Sequence, residues 1–396
     1  MKVAILSNDF RVYWRGRLIY LQRYLKDNGV EMRAIELFGK GSAYSFDDYN
    51  DKYPWWTCLF PDSDATELST DTIAKELFNS LNAFNPDVVI ASPITFFAGA
   101  LGLRWAKRNN KKHIMFDDAK PLLQFKRNFL VRWVRDTITA QTDALWLPSA
   151  DYDMEYPSLD KLDMHFFYGF NCIDNEHFKP SEQRKLDGNT VICVARLVPI
   201  KNLHNLLRAW QSIEEKNIQW KLVIIGDGPM YEKLTQFALQ LNLKSVNFMG
   251  ASNYEDMPEH LHMADVFILP SLSETWGLVV NEAMAAGLPV ILSNKVNAAV
   301  SLLQEGVNGY SFDPYQISDI TSSLLKFITL DDDSKQVMGI QSQQIISRMD
   351  YNNMGQSLLG GLNTVLKRKV KKTNFISSLL LNLWSGKHDL SAWYEL

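Results

Sequence analysis

Residues 269–283 read LPSLSETWGLVVNEA, and no other segment of the chain is as informative. The segment combines the end of an apolar strand, a polar loop and the start of an apolar helix. A strand followed by a helix is the repeating unit of parallel sheets, whose ligands bind beside the carboxyl ends of the strands. Gly277 would let the backbone pass close to such a ligand at the helix N-terminus, where free amides favour negative charge.

Two carboxylates flank that glycine. Glu274 lies in the predicted loop and Glu282 inside the predicted helix, so both can point into one crevice and accept hydrogen bonds from sugar hydroxyls. Neither side chain suits a phosphate. The alternative is that Glu274 is an acid favoured near a helix start and that Glu282 is a solvated helix residue.

Upstream, three further residues follow predicted strands. Arg196 and Lys201 flank a turn after the strand at 191–195, where a planar guanidinium and a mobile ammonium suit a diphosphate. Gly226 opens the segment GDGP after the strand at 222–225, and its backbone could approach a phosphate or sugar. The alternatives are solvated loop charges and a glycine turn with proline at a helix start.

Strands alternate with helices in both halves of the chain, which predicts two doubly wound parallel sheets of the α/β class. We predict domains at 1–180 and 181–370 and a tail at 371–396 that packs back on the first domain. The linker is placed at 179–189. The segment 39–69 is polar, aromatic and irregular, and we expect an elaborated loop there.

The composition excludes several classes of protein. The chain has 396 residues, 46% of them apolar, and a formal net charge of −4, so bulk charge predicts no nucleic-acid partner. No apolar run approaches the length of a membrane span. Three widely spaced cysteines indicate a reducing cytosol rather than a disulfide framework or zinc site.

The second half resembles the nucleotide-sugar-binding domain of retaining glycosyltransferases of family 4. That family has the GT-B fold, in which two Rossmann-like domains face each other across a cleft. The resemblance covers about residues 165–315, and the first half matches by architecture only. The matching segments are VARL at 194–197 with Lys201, IGDGP at 225–229, Glu274 followed after seven residues by Glu282, AGLPV at 286–290 and GVNG at 306–309.

The resemblance implies a role for each of these residues. Arg196 and Lys201 would bind the donor diphosphate, Glu282 the ribose hydroxyls, and Glu274 the transferred sugar. The remaining donor contacts would be made by the backbone, with the amides of Trp276, Gly277 and Leu278 at sugar and phosphate and those of Ala251 and Ser252 at the nucleobase. The donor is then a co-substrate, and no cofactor or metal is implied.

The first half departs from the family. Many members have a histidine at the end of an N-domain strand near the donor sugar, whereas the strand at 113–116 ends here in Asp117 and Asp118. Asp117 is our candidate for the histidine's place; alternatively, both residues cap the next segment. The usual glycine-rich first loop is replaced by NDFRVYWRG at 8–16, which leaves Gly16 as the residue that could admit phosphate.

Two other signals admit structural and functional explanations. Asp62-Ser63-Asp64 is a DxD triplet, a metal-binding pattern in another glycosyltransferase fold, but it lies in the irregular segment and we predict no metal site.

Basic and aromatic residues alternate over 125–135 and recur in 367–384, which is typical of helices on anionic lipid. The alternative, which we favour, is that Phe129, Trp133 and Leu379–Leu381 face the core.

These observations predict a retaining, metal-independent hexosyltransferase that moves a sugar from a UDP-sugar to a glycan or lipid-linked glycan in polysaccharide biosynthesis. It would work in the cytoplasm, including the cytoplasmic face of an anionic membrane. Two alternatives stay open. One is a nucleotide-sugar epimerase or hydrolase on the same fold, and the other is a catalytically silent glycan-binding protein.

Overall fold

A computed structural model describes residues 1–10, 13–41, 53–120, 129–160, 164–180, 189–216, 219–371 and 374–386. The chain divides into two compact units. The first comprises Met1–Asn171 and the described residues from Tyr351 to Gly386, and the second comprises Cys172–Asp350.

Each unit is built on one parallel sheet. The first sheet has seven strands in the order β3-β2-β1-β4-β5-β6-β7, and the second has six in the order β10-β9-β8-β11-β12-β13. The strands are β1 (Lys2–Ser7), β2 (Glu31–Phe38), β3 (Trp56–Phe60), β4 (Val88–Ala91), β5 (Lys112–Phe116), β6 (Ala144–Leu147), β7 (His165–Tyr168), β8 (Thr190–Val194), β9 (Lys221–Ile225), β10 (Val246–Gly250), β11 (Val266–Leu269), β12 (Val290–Ser293) and β13 (Gly309–Phe312).

Helices connect the strands, as parallel pairing requires. The helices are α1 (Tyr13–Asp27), α2 (Thr70–Phe84), α3 (Phe97–Arg108), α4 (Phe129–Thr139), α5 (Pro157–Asp160), α6 (Asn175–Phe178), α7 (Leu203–Glu214), α8 (Tyr231–Gln240), α9 (Met257–His262), α10 (Leu278–Ala285), α11 (Asn297–Leu302), α12 (Ile317–Ile328), α13 (Asp332–Ile346), α14 (Tyr351–Lys367) and α15 (Phe375–Leu383). Two 3₁₀ turns occur at Ala150–Glu155 and Pro199–Lys201.

The apolar periodicity of the sequence explains the core of the second unit. Helix α7 buries Leu203, Leu206, Leu207 and Trp210 on one face, at the spacing of a helical stripe. Strand β8 lies in the middle of the sheet between β9 and β11, and Val191 pairs with both Leu222 and Val266. Because both faces of β8 are covered, its residues from Val191 to Val194 are apolar.

The predicted α/β class, with two Rossmann-like parallel sheets, is confirmed. The expectation of an irregular loop over 39–69 is wrong for Trp56–Phe60, which forms β3 and pairs with β2 from Ala34 to Phe38. The strand was missed because β3 lies at the edge of the sheet, where its residues are half-buried or exposed and do not alternate. No helix among the described residues has the length and apolar character needed to cross a membrane.

The observed division of the chain differs from the predicted one. The units change at Asn171 and again at Asp350, whereas the sequence analysis placed the boundaries at 180 and 370. The second unit ends at Asp350 rather than at 370 because helix α14 packs on α1 and β7 of the first unit. Helix α15 packs on α4 and α3 of the same unit. Most of the predicted linker, residues 181–188, lies outside the described residues, as do 372–373 and 387–396 of the tail.

Candidate active site

The second sheet has a topological switch point between β8 and β11. Strand β8 is followed by β9 on one side, whereas β11 is followed by β12 on the other. The loops that leave the two carboxyl ends therefore diverge and leave a crevice, which is where open α/β sheets bind ligands. Arg196 and Lys201 lie in the loop after β8, and Glu274 and Gly277 lie in the loop after β11. The strand order thus collects the residues that the sequence predicted.

Lys201 and Glu274 meet across this switch point. The Lys201 ammonium forms a short ion pair with Oε1 of Glu274, and the Ser271 hydroxyl donates to the same oxygen at 2.7 Å. The side chains of Lys201 and Glu274 are 19% and 13% exposed, so solvent screens the pair less than it would a surface pair. A cation and an acceptor of hydrogen bonds are therefore held side by side at the crevice.

Backbone and amide contacts fix the two loops against each other. The Leu272 amide donates to the Ile200 carbonyl at 2.8 Å. Asn202, in the left-handed conformation at φ 58°, donates from Nδ2 to the carbonyls of Pro270 and Pro314 at 3.1 and 2.8 Å. Sequence reasoning missed both Asn202 and Ser271. Asparagine directly before a predicted helix was the available signal for Asn202, since asparagine tolerates left-handed backbone and caps helices.

Gly277 is the residue before helix α10. Its φ of 98° lies in the left-handed region, which a residue with a Cβ rarely adopts. The Leu278 amide starts the helix and belongs to its first turn, whose N–H groups have no partner within the helix. These amides form the positive end of the helix dipole, next to the Lys201–Glu274 pair. Gly277 and Leu278 therefore stand where an anion would be stabilised.

The structure buries two other predicted donor residues. Trp276 is 1% exposed, and its indole Nε1 donates to Oδ1 of Asn281 at 2.9 Å. Its side chain thus braces the first turn of α10, and only its backbone fits the predicted donor contact. Glu282 is 3% exposed within α10, against which α6 packs. The roles of Trp276 and Glu282 at sugar and ribose stay predictions.

The glycines of the GDGP segment are explained by packing. A Cβ at Gly226 would overlap the carbonyl oxygen of Ala195, and one at Gly228 would lie 2.7 Å from the carbonyl oxygen of Leu197. The Leu197 amide also donates to the Asp227 carbonyl at 2.9 Å. The absence of side chains therefore lets this segment press against the loop that carries Arg196. A direct donor contact by Gly226 stays a prediction.

Ala251 and Ser252 follow the edge strand β10. Ala251 is exposed and Ser252 is half-buried, beyond Gly250 at φ 77°. Their backbone is therefore accessible for the predicted nucleobase contact. In β8, burial raises the pKa of the Cys193 thiol to about 12. A raised pKa disfavours the thiolate, which is the nucleophilic form of cysteine.

In the first unit, Asp117 follows β5 at the carboxyl edge of the sheet. It is 7% exposed, and burial raises the pKa of its carboxyl to about 7 despite two donors to it. Those donors are the Tyr156 hydroxyl, in a short contact, and the Ala119 amide at 2.9 Å. The Ala119 contact closes a local turn, and the segment that follows, residues 121–128, lies outside the described residues. Sequence reasoning missed Tyr156, because no motif links it to Asp117.

The structure gives Gly16 a packing role. Gly16 lies in α1, and a Cβ there would overlap the hydroxyl of Tyr351 and lie 3.2 Å from its ring carbon Cζ. The space beside Gly16 is therefore filled by α14 of the same unit. This contact is a sufficient reason for the glycine, and its predicted role toward phosphate stays untested.

The DxD triplet also has a local explanation. Oδ1 of Asp64 accepts hydrogen bonds from the amide and the hydroxyl of Thr66, both at 2.6 Å. Within the described ranges, no three His, Cys, Asp or Glu side chains are grouped as metal ligands. Asp64 thus stabilises the turn that leads from β3 to α2.

Comparison with known proteins agrees with this geometry. Residues 174–344 match the model of the family described as "Glycosyl transferases group 1". A "GDP-mannose-dependent alpha-(1-6)-phosphatidylinositol monomannoside mannosyltransferase" of Mycobacterium tuberculosis is 30% identical over 192 residues, which are 44% of this chain and 49% of that protein. This chain spans about half or less of the length of the first curated relatives it matches.

Solved structures match over nearly the whole chain. Sucrose-phosphate synthase from Thermosynechococcus elongatus superposes with a TM-score of 0.72 at 15% identity, covering 93% of this chain and 99% of that one. HepE from Anabaena, in complex with UDP, gives 0.71 at 17% identity, covering 92% and 100%. Residues 174–344 of this protein thus match the group 1 glycosyl transferases in sequence, in a chain with the GT-B fold.

Proposed function

We propose that this protein transfers a sugar from a nucleotide-diphosphate sugar, most simply a UDP-sugar, to a hydroxyl of a glycan or lipid-linked glycan. The observation that carries the proposal is the Lys201–Glu274 pair at the switch point, next to the first turn of α10. A diphosphate and the sugar bonded to it are neighbours in the donor. A cation and a carboxylate in contact match those two neighbouring groups.

The proposed chemistry is stabilisation of the leaving group. The bond between the anomeric carbon and the diphosphate oxygen breaks, and the acceptor oxygen bonds to that carbon while the acceptor's proton passes to the departing diphosphate oxygen. Negative charge then grows on the diphosphate, where Arg196, Lys201 and the amides of Gly277 and Leu278 would stabilise it. Fixed positive groups can do this without a metal ion. Retention of configuration is part of the proposal.

The order of the strands supports the proposed orientation of the donor. Along the sheet, β10 leads into Ala251 and Ser252, β8 into the loop of Arg196, and β11 into the loop of Glu274. Those are the predicted partners of nucleobase, diphosphate and sugar. The same sequence of groups occurs along a nucleotide sugar, so one extended ligand would meet them in order.

The named relatives bear on donor and acceptor. HepE was solved with UDP, whereas the mycobacterial relative is dependent on GDP-mannose. That relative acts on a phosphatidylinositol mannoside, which is a lipid-linked acceptor. We therefore propose UDP as the first candidate and GDP as its competitor, and a lipid-linked glycan of polysaccharide biosynthesis as the acceptor, met on the cytoplasmic side of a membrane.

Calorimetry and thermal shift with UDP, GDP, ADP and CMP test the donor site. A ligand at about 100 times its dissociation constant should stabilise the second unit by about 2.7 kcal/mol. Binding should be lost in Arg196→Ala and Glu282→Ala and kept in Arg208→Ala, since Arg208 is an exposed arginine on α7 of the same unit. If no nucleotide binds at millimolar concentration, the donor site is not where we place it.

Product analysis then separates transfer from related reactions. A transferase releases the nucleoside diphosphate faster when the right acceptor is present, and the new linkage keeps the donor's anomeric configuration. An altered sugar formed without acceptor would identify an epimerase, and release of nucleoside diphosphate that does not depend on acceptor would identify a hydrolase.

We expect full activity in EDTA. A loss of activity that a divalent cation restores would contradict the metal-free part of the proposal.

A further inference from the structure

Helix α15 presents its apolar stripe to solvent. Phe375, Ile376, Leu379 and Leu383 are 83%, 55%, 48% and 74% exposed, and their spacing places them on one face. The opposite face is buried through Ser377 and Leu381. In a helix that merely covers a core, the large apolar residues would point inward.

Specific polar contacts hold α15 in this orientation. The Arg104 guanidinium donates to the carbonyls of Leu381 and Trp384 at 3.1 and 2.6 Å. The Gln141 amide donates to the Ser377 carbonyl at 3.0 Å. The indole of Trp384 donates to the Ile94 carbonyl at 2.7 Å, beyond the end of the helix. Contacts on both sides of the inward face therefore fix which residues face outward.

Helix α4 contacts α15 and also exposes large apolar side chains, although residues 129–133 of its first turn are exposed on every side. Phe129, Leu130 and Trp133 are 76%, 63% and 45% exposed, whereas Ile138 near its end is fully buried. The sequence analysis favoured a core position for Phe129, Trp133 and Leu379, and that expectation is wrong. Of that set, Leu381 is 4% exposed and does face inward. Residues 125–128 of the predicted basic helix lie outside the described residues.

We name seven of the large apolar side chains exposed on these two helices the docking face, which leaves out Val131 of α4, 48% exposed. They are Phe129, Leu130, Trp133, Phe375, Ile376, Leu379 and Leu383. Seven large apolar residues on two touching helices exceed the scattered apolar exposure that is normal for a protein surface.

Exposed basic side chains flank the docking face along the chain. Arg132 on α4 is exposed, and so are Lys367 and Lys369 just before α15. From residue 351 to 386 the sequence contains no Asp or Glu. The acidic residue of α4, Asp136, pairs with Arg135. Basic residues therefore outnumber acidic ones in the two segments that expose the apolar side chains.

We infer that the docking face binds the surface of an anionic lipid bilayer. Aromatic and aliphatic side chains flanked by Lys and Arg are the composition of helices that lie in the membrane interface. Each basic side chain near an anionic leaflet adds attraction, and the apolar side chains enter the boundary of the acyl chains. This inference goes beyond the proposed function, because it requires neither donor nor transfer and uses only residues of the first unit.

Vesicle co-sedimentation of the full chain tests it. The probes are vesicles of phosphatidylcholine alone and vesicles with about a third phosphatidylglycerol. The test variant is Phe375→Ser/Leu383→Ser, and its matched control is Leu239→Ser/Met263→Ser, which removes two residues of similar exposure, 76% and 63%, from the second unit. A second pair compares Lys367→Gln/Lys369→Gln with Lys216→Gln/Lys233→Gln, all exposed lysines.

We expect the wild type and both controls to sediment with the anionic vesicles and much less with the neutral ones. The apolar variant should bind about tenfold more weakly or worse. The lysine variant should bind more weakly too, and raising the salt should remove the difference between the lipids. All variants should keep the circular dichroism and melting temperature of the wild type, since the changed residues are exposed.

Three outcomes would overturn the inference. The first is absence of wild-type binding to either vesicle, and the second is equal loss in the apolar variant and its control. The third is a concentration-dependent dimer that the Phe375→Ser/Leu383→Ser change abolishes in light scattering, with no vesicle binding, which would assign the face to a second copy of the chain. None of these outcomes bears on nucleotide binding, which the calorimetric panel tests separately.

Discussion

The ammonium of Lys201 and the carboxylate of Glu274 form an ion pair between residues that are 73 positions apart in the chain. The pair joins the loop after β8 to the loop after β11. It exists because these strands are neighbours at the centre of the second sheet, where the order of winding reverses. The residues at this junction are the ones for which the proposed function makes the sharpest predictions.

Substitution of the two partners should separate diphosphate from sugar recognition. Lys201→Ala should weaken binding of both UDP and a UDP-sugar and lower turnover by about 10²-fold, because the ammonium would stabilise the leaving diphosphate. Glu274→Gln should leave the affinity for UDP nearly unchanged, since UDP lacks the sugar, and should lower turnover. Calorimetry with UDP and steady-state assays with the UDP-sugar measure the two effects.

The control for this pair is Lys179→Ala, which removes an exposed lysine that pairs with Glu176. It should change neither affinity nor turnover. An equal loss of UDP affinity in Lys201→Ala and Glu274→Gln would mean that the ion pair only supports the loops, and the proposed division of roles would be wrong.

Gly226→Ala should destabilise the second unit. The new Cβ would overlap the Ala195 carbonyl, and a φ of 143° is unfavourable for alanine. We expect the free energy of unfolding to fall by more than about 2 kcal/mol.

Gly306→Ala is the control. Gly306 also has a positive φ, 73°, but a Cβ added there would have no atom within 4 Å. This substitution should lower the free energy of unfolding by about 1–2 kcal/mol. Thermal unfolding of both variants checks this, and equal melting temperatures would refute the packing explanation.

Gly16→Ala should destabilise the first unit by crowding Tyr351. The added Cβ would overlap the Tyr351 hydroxyl, whereas the ring carbon Cζ lies at 3.2 Å and can give way. Tyr351→Phe in the Gly16→Ala background should therefore restore part of the lost stability, as coupled neighbours do in a double-mutant cycle. If Gly16→Ala leaves unfolding unchanged and weakens UDP binding, the glycine serves the phosphate instead.

The substitution Asp117→Asn should raise the free energy of unfolding relative to the wild type, and this gain should grow as the pH rises. Burial raises the pKa of Asp117 to about 7 in the folded protein, above the ordinary value of 3.8, so the folded state holds the proton longer than the unfolded state. The wild type therefore loses stability between about pH 4 and pH 7, whereas asparagine has no proton to lose. The difference in unfolding free energy should grow by about 3 kcal/mol across that window.

Denaturant titrations of both proteins from pH 4 to pH 8 measure this difference. His113 contributes in the opposite direction, because burial lowers its pKa to about 3 and acid then favours the unfolded state. Its contribution is common to both proteins and cancels in the comparison. A difference that stays constant with pH would show that Asp117 is ionised in the folded protein throughout.

The sequence by itself determined the class of the fold and indicated candidate residues for the site. Short apolar runs spaced by helical stripes specify strands and helices locally, because the period of burial is written in consecutive residues. Arg196, Lys201, Glu274 and Gly277 were found because each directly follows a recognisable strand or precedes a helix. The edge strand β3 was missed since its residues are only half-buried and follow no clear period.

Only the tertiary structure decided which of these residues touch and which apolar residues face solvent. Ser271 and Tyr156 act through partners that are not determined by local pattern, and Gly16 and Gly226 are explained by atoms of α14 and of the loop after β8. The sequence analysis placed Phe129 and Leu379 in the core, yet both are exposed, and contacts from Arg104 and Gln141 hold α15 with Leu379 facing outward. Local periodicity fixes the shape of an element and the composition of its faces, whereas the neighbour that each face meets depends on how distant parts of the chain pack.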